Sequence, residues 1–313
     1  MKSLAIVIPV YKHLYFNDVL DSIANQTCKD FTLYIGNDAS THEIDTIVKK
    51  YCNKIDIVYK YFEYNLGKNN LVGQWERCID LSNGEPYIWL FSDDDIMSPN
   101  CVEEFIKLPD EIKNNYLIHY DIATINEIES TTKKQREFPT HLSAKEYLDE
   151  KLCLNGHKGL VSYVVEFIFS RDIYNQMGKF EKFDLAWGAD FITWLKFSSV
   201  CSGIYTIKNR NALVYWRRSL ENITPNKSHS ILIRKLKSQI EYITFIKKWL
   251  KEHNYKFTFK YAKNIFGTIK RNLKTISKED LCLLRTQYNS LIGKSIVSEA
   301  LFYYFILTKK ISL

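Results

Sequence analysis

The stretch Gly84-Glu85-Pro86-Tyr87-Ile88-Trp89-Leu90-Phe91-Ser92-Asp93-Asp94-Asp95 runs an apolar segment straight into three carboxylates. A continuous apolar run of this length reads as a strand buried on both faces. Such a strand carries whatever follows it to the edge of a sheet. Three adjacent carboxylates repel there, and each raises the pKa of the others. A divalent cation removes that cost, and hard oxygen ligands suit Mg²⁺ or Mn²⁺. The competing reading is a solvated acidic turn, or a cap for a helix beginning near Pro99.

Outward from this strand the pattern alternates. Leu4–Val10 is a second continuous apolar run, and Phe31–Gly36 and Ile55–Tyr61 also read as strands. Between them, apolar residues at helical intervals predict helices over Phe16–Asn25, Thr41–Tyr51 and Asn69–Leu81. Alternating strands and helices argue for right-handed crossovers and a mostly parallel α/β sheet flanked by helices. Ligands bind such sheets beyond the carboxyl ends of the strands. Four polar clusters fall at those ends: Pro9–Lys12, Asn37–Ser40, Asn65–Asn70 and Ser92–Asp95. Together they predict one site.

Beyond residue 110 the regularity weakens. Strands are expected over Tyr116–Ile125, Tyr163–Ser170, Ile204–Lys208 and Ala212–Trp216. Helices are expected over Ser143–Glu150 and Ala189–Ser199, with a loop over Phe180–Trp187. From about Ser228 the chain reads as helix to its end. Two regions follow: residues 1–225 as the α/β unit and 226–313 as a basic, amphipathic helical extension.

Composition bounds the function. With 313 residues, 46% hydrophobic and 25% charged, the chain can bury a full core and is neither fibrous nor wholly disordered. Its seven cysteines include no C-x-x-C pair, which argues against a disulfide framework or structural zinc. The N-terminal apolar run is short and lacks a small-residue cleavage site, and no 18-residue apolar stretch occurs. A reducing, cytoplasmic location is expected. Residues 1–225 carry net charge −6 and residues 226–313 carry +13. Such asymmetry predicts an acidic partner for the tail, an anionic membrane surface or nucleic acid, against the plain reading of a solvated basic face. Interleaved aromatics in Lys256–Tyr261 and Leu301–Leu307 favour the membrane surface.

Other polar residues admit two readings each. Asp38 accepts hydrogen bonds from a base or ribose, or caps the following helix. Asp190, in Trp187-Gly188-Ala189-Asp190-Phe191, is a general base on a rigid helix end, or a carboxylate favoured by the helix dipole. Arg217 and Arg218 fork onto pyrophosphate oxygens, or end a strand in solvent. The chain has no G-x-G-x-x-G, P-loop or G-x-S-x-G motif.

In order along the chain, these clusters resemble glycosyltransferase family 2, whose fold is GT-A, a Rossmann-like α/β sheet. Ile8-Pro9-Val10-Tyr11 is similar to the family's first strand, and Asn37-Asp38-Ala39-Ser40 to its D-D-x-S motif. Asn65-Leu66-Gly67 is similar to its N-x-G segment, and Gly84–Asp95 to its strand and metal motif. Gly188-Ala189-Asp190 with Trp194-Leu195 resembles E-D-x-x-x-W-L, and Tyr215–Arg218 the late Y-R-R segment. Asn37, Ala189 and Pro86 depart from the family's pattern, the first two each replacing an acid.

The resemblance implies inverting transfer of a sugar from a nucleotide-sugar, a UDP-sugar foremost, to a hydroxyl of a glycan acceptor. Asp190 would be the base. Asp94, helped by Asp95, would hold Mn²⁺ or Mg²⁺, and Asp93 would meet the ribose. Pro9, Tyr11, Asp38 and Asn65 would line the nucleotide pocket, with Arg217 or Arg218 over the pyrophosphate. It also implies surface-polysaccharide (O-antigen type) synthesis on a lipid-linked acceptor, with the enzyme peripheral at the inner membrane face and no nucleic-acid partner. Three alternatives stay open: a catalytically inactive sugar-nucleotide-binding protein, a nucleotidyltransferase, and a nucleic-acid binder using the tail.

Overall fold

A computed structural model describes residues 2–155 and 159–311. An eight-stranded sheet forms its centre. The first strands are β1 (Leu4–Val10), β2 (Phe31–Asn37), β3 (Ile57–Tyr61) and β4 (Tyr87–Leu90). They lie in the order β3-β2-β1-β4, all parallel. Their crossovers are α1 (Phe16–Ala24), α2 (Ile44–Lys49) and α3 (Leu71–Ile79). The sheet is built leftward from β1 through β2 and β3, and β4 is added on the other side. The carboxyl ends of β1 and β4 therefore flank the switch point, where such sheets leave a crevice.

The rest of the chain mixes directions. The remaining strands are β5 (Ile96–Met97), β6 (Leu117–Tyr120), β7 (Ile122–Asn126), β8 (Thr131–Lys134), β9 (His141–Leu142), β10 (Phe167–Ser170), β11 (Ile204–Ile207) and β12 (Val214–Arg218). The large sheet continues β4-β10-β6-β11-β9, with β10 antiparallel to both neighbours. A second sheet has the order β5-β12-β7-β8. The remaining helices are α4 (Cys101–Ile106), α5 (Asp110–Asn115), α6 (Ala144–Lys151), α7 (Arg171–Gln176), α8 (Ala189–Val200), α9 (His229–Glu252), α10 (Lys263–Arg271), α11 (Lys278–Leu291) and α12 (Ile296–Ile311).

The single strand expected over Tyr116–Ile125 is two strands in two sheets. The break is Asp121, a buried carboxylate between apolar runs. It accepts the Phe138 amide (2.9 Å) and pairs with Lys208 (3.0 Å), so the chain turns there to satisfy it. Strand β8 had no sequence signal because all four residues are exposed and polar. The expected loop over Phe180–Trp187 contains one 3-10 turn, Asp184–Ala186.

Burial on β1 alternates as a doubly covered strand requires. Ala5 and Val7 face one apolar cluster, and Leu4, Ile6, Ile8 and Val10 face the other. The first cluster runs without a break from the sheet through α6 and α8 into α9–α12. The C-terminal helices thus share the core of the α/β part. All seven cysteines are free, and no described helix is long and apolar enough to cross a membrane.

Candidate active site

The four polar clusters meet. One cavity of about 550 Å³ is lined by Pro9 near the end of β1, by Tyr11 and Lys12 after it and by Asp38 after β2. Asn65, Gly67 and Lys68 from the loop before α3, and Ser92–Asp95 after β4, complete that side. The opposite wall is Tyr163–Val165, Trp216 and the loop Glu221–Thr224. Tyr163 and Trp216 stack face to face, 4.0 Å between centroids.

The acidic triplet divides its labour. Asp93 reaches across the switch point, where its Oδ2 accepts the amides of Tyr11 (3.0 Å) and Lys12 (2.8 Å). Asp95 turns inward, with its Oδ1 accepting the Arg217 amide (2.6 Å) and Oδ2 the Ser92 hydroxyl (2.6 Å). Asp94 is left toward the cavity, and the ammonium of Lys12 is paired with it. Burial, with Asp94 adjacent, raises the pKa of Asp95 well above the carboxylate range. Burial also raises Asp93, against the pull of Lys12. Burial alone would lower Lys12, but Asp93 and Asp94 outweigh it and hold it above its ordinary value.

This corner suits a divalent cation that shares its ligands with a substrate. Asp94 offers a carboxylate now held by an ammonium, which a dication can replace. Among the described residues no three His, Cys, Asp or Glu groups converge into a protein cage. Mg²⁺ commonly takes one or two carboxylates and draws its remaining ligands from phosphates and water.

Asp38 neither caps α2 nor stands free. Its carboxylate accepts the amides of Leu66 and Gly67, both at 2.8 Å, and pairs with Arg77 at 2.5 Å. It clamps the Asn65 loop against β2. A side chain on residue 67 would strike it, since an added Cβ would lie 2.6 Å from Asp38 Oδ2. Asn65 in turn holds its own loop by accepting the Lys68 amide (2.8 Å). Asn37 bridges Tyr59 and the Ser40 amide, both at 2.8 Å.

The two arginines separate. Arg217 is outside the cavity lining. Its guanidinium stacks on Tyr15 and binds Glu127, Asp18 and the Asp94 carbonyl. Arg218 is half-buried, and its guanidinium makes no hydrogen bond or ion pair among the described residues. Its charge reaches the Tyr163 phenol.

Asp190 opens α8 and is not itself among the cavity-lining residues. It is half-buried, and the Tyr163 phenol feels the charges of Glu166, Asp95 and Asp190 together. Trp194 of α8 fixes that wall by donating Nε1–H to the Tyr163 carbonyl (2.9 Å). Gly188 admits the helix. Its φ is +89°, and a Cβ there would meet the Tyr242 ring of α9 at 2.5 Å. Burial raises the pKa of Asp190, and Lys151 opposes the rise.

Sequence reasoning placed Lys12 in the Pro9–Lys12 cluster but gave it no role beside the acidic triplet. It also missed Lys235 of α9, whose ammonium donates to the carbonyls of Ile223 (2.5 Å), Thr224 (3.1 Å) and Asn226 (2.8 Å). Nothing local marks Lys235, since its partners belong to a loop folded back onto the helix.

Sheet order, switch-point cavity and acidic strand end define the GT-A class of fold. The sequence pattern of Glycosyl transferase family 2 matches residues 5–177, and the chain belongs to that family. An uncharacterized glycosyltransferase of Rickettsia prowazekii is 27% identical over 202 residues, 63% of this chain and 59% of that one. A Rickettsia typhi counterpart is 26% identical over 206 residues, with the same coverage. The chain therefore spans under two thirds of the length of these relatives. Residues 1–349 of S. aureus TarS, solved with UDP-GlcNAc, superpose with a TM-score of 0.59 at 11% identity, covering 99% of this chain and 91% of that one. A mannosyltransferase from Pyrobaculum calidifontis, solved with GDP-Man and Mn²⁺, gives 0.51 at 12% identity, covering 99% and 86%. At these identities the two structures share the fold.

Proposed function

We propose that the chain is an inverting glycosyltransferase that moves a sugar from a nucleoside-diphosphate sugar, a UDP-sugar foremost, to a hydroxyl of a glycan acceptor. The observation that carries this is one cavity joining the ends of β1, β2 and β4 to the Tyr163 wall, which Trp194 of the helix that Asp190 opens fixes by a hydrogen bond. The TarS and mannosyltransferase structures, each solved with a nucleotide-sugar, support the donor class.

In this reading Pro9, Tyr11, Asp38 and Asn65 receive the nucleoside, and Asp93 holds the ribose side of the pocket in register. Asp94, with Asp95 behind it, would hold Mn²⁺ or Mg²⁺, which when bound supplies positive charge for the leaving diphosphate. Arg218, on the same face of β12 as the cavity residue Trp216, would add a guanidinium toward the diphosphate. Asp190 takes the proton of the acceptor hydroxyl. Its raised pKa makes it a stronger base than an exposed carboxylate. The acceptor is a lipid-linked glycan of a surface polysaccharide, met at the inner membrane face, and residues 226–313 form the basic region that approaches the surface.

The test is a panel of nucleotide-sugars read by thermal shift with Mn²⁺, followed by turnover of the binding donor in wild type and Asp190→Asn. Donor binding is expected to survive the substitution, with turnover falling at least about 100-fold. Near-normal turnover would remove Asp190 as the base. A second reading, a sugar-nucleotide-binding protein without turnover, is favoured by the Lys12 ammonium on Asp94 and by Ala189. It predicts donor binding with no hydrolysis of any donor in the panel.

A further inference from the structure

Beside the Tyr163 wall sit two charged groups that the proposed reaction does not yet use, half-buried Lys151 and fully buried Glu166. Lys151 ends α6, and its ammonium is held by the Ser162 carbonyl (2.7 Å) and hydroxyl (3.2 Å). Ser162 is fixed in turn by the Tyr147 hydroxyl (2.9 Å). The ammonium sits 5.9 Å from the centre of the Phe191 ring, the residue directly after Asp190. Glu166 precedes β10 and is fully buried. Its Oε1 accepts the Tyr163 amide (2.6 Å), while its Oε2 has no hydrogen-bond partner among the described residues. Residue 189 is alanine, so the start of α8 contributes one carboxylate, and the second acid of this corner comes from the approach to β10.

We propose that Lys151 is a positioning residue for Asp190: Ser162 holds its ammonium near the start of α8, where its positive charge favours the ionised Asp190 carboxylate, and Glu166 fixes the Tyr163 wall beside them. This rests on Asp190 being the base. The geometry fits such a role, because Ser162 holds Lys151 in place and Lys151 makes no direct ion pair with either carboxylate. An ammonium in full contact with Asp190 would neutralise it as a base. One held nearby keeps it ionised and still able to accept a proton.

The titratable and charged groups around Asp190 come from three sides. They are Tyr147 and Lys151 of α6, Tyr163 and Glu166 of the cavity wall, and Tyr242 of α9. Burial raises the three phenols, so they stay neutral near pH 7. Burial pushes Glu166 up to about 8. At neutral pH Glu166 is then largely protonated, and Lys151 and Asp190 carry the only charges in the group. Burial also lowers the pKa of Lys151, against the attraction of Asp190 and Glu166.

The sign of each substitution follows. Lys151→Met removes the charge that favours ionised Asp190, so the Asp190 midpoint rises. Glu166→Gln removes no charge in the range where Asp190 titrates, so the midpoint stays and does not rise. The direct readout is the ¹³C carboxyl shift of Asp190 against pH, assigned by its loss in Asp190→Asn. An increase of about one pH unit is expected in Lys151→Met, as for the loss of one nearby opposite charge. Lys151→Arg should restore the wild-type curve, which a packing role alone would not predict. Superimposable curves for wild type and Lys151→Met, or a rise in Glu166→Gln, would overturn the proposal. If Lys151→Met does not fold, Lys151→Arg and Glu166→Gln decide alone: a shift of more than one unit in the former or a rise in the latter overturns it. The turnover of Asp190→Asn tests the base assignment separately, since the titration needs no substrate.

Discussion

At the scale of the residue, three consecutive aspartates hold three different jobs. Asp93 is a tie between strand ends, with two backbone amides on one oxygen. Its loss strands two donors at the switch point, and a buried donor without a partner costs about 1–3 kcal/mol. Asp93→Ala should therefore lower the unfolding free energy by about 3 kcal/mol. Asp94 bears on the cavity and on Lys12. Asp94→Asn keeps the shape and the Ser92 contact and leaves Lys12 paired with Asp93, so its stability should fall by less than that of Asp93→Ala, by about 1 kcal/mol. It should instead lose the Mn²⁺-dependent part of nucleoside-diphosphate binding. Urea denaturation of the two variants, with calorimetry of UDP binding with and without Mn²⁺, separates the roles. Equal stability losses would show that the triplet acts as one structural unit.

At the scale of the element, the loop Ser219–Asn226 depends on a helix that follows it. Lys235 of α9 gathers three of its carbonyls, and the same ammonium lies 4.6 Å from the centre of the Trp187 ring. Lys235→Met keeps the aliphatic stem and removes all three hydrogen bonds. It should cost about 2 kcal/mol and release the loop, read as faster tryptic cleavage after the exposed Lys227. Unchanged cleavage would mean the loop is held by something else. The same contrast explains what could be read in advance. Strands β1, β2 and β4 were legible because strands buried on both faces need largely apolar runs. The edge strand β3 was legible by its β-branched and aromatic residues, and the crossovers by helical periodicity. The polar strand ends were legible because a parallel sheet puts them on one edge. Asp121 was not legible as a hinge, since its reason for being buried is a pair of partners, Phe138 and Lys208, distant in sequence. Glu166 was equally silent: one acid in Val164-Val165-Glu166-Phe167 gives no hint that Lys151 stands near it. The split roles of Arg217 and Arg218 depend on which face of β12 each residue takes, and adjacent residues on a strand take opposite faces.

At the scale of the whole molecule, the charge asymmetry has a place to act. The net +13 of residues 226–313 rides on helices that share the core of the α/β part, so the tail is oriented relative to the cavity. On α12, Ile296, Val297, Tyr304 and Leu307 are exposed at helical spacing, and Leu283 and Leu291 of α11 add to the uncovered apolar surface. Lys309 near the end of α12 reaches the Lys274 carbonyl, which brings the basic run Lys270, Arg271 and Lys274 beside it. Apolar side chains bordered by lysines are the composition of a helix resting in a headgroup layer. Deleting residues 226–313 would be a poor test, because it removes Lys235 and with it the cavity loop. The full chain with Lys270, Arg271 and Lys274 changed to Gln is the better probe. Each positive charge near an anionic surface contributes about 1 kcal/mol, so the triple variant should bind phosphatidylglycerol vesicles roughly 100-fold more weakly. Tyr304→Ser with Leu307→Ser should weaken binding further, and neither set should alter the thermal shift given by the nucleotide-sugar donor. Flotation with phosphatidylglycerol and with phosphatidylcholine vesicles reads both effects. Binding that ignores lipid charge and survives both sets of substitutions would leave the basic helices as a solvated face, and the acceptor would then have to reach the cavity from solution.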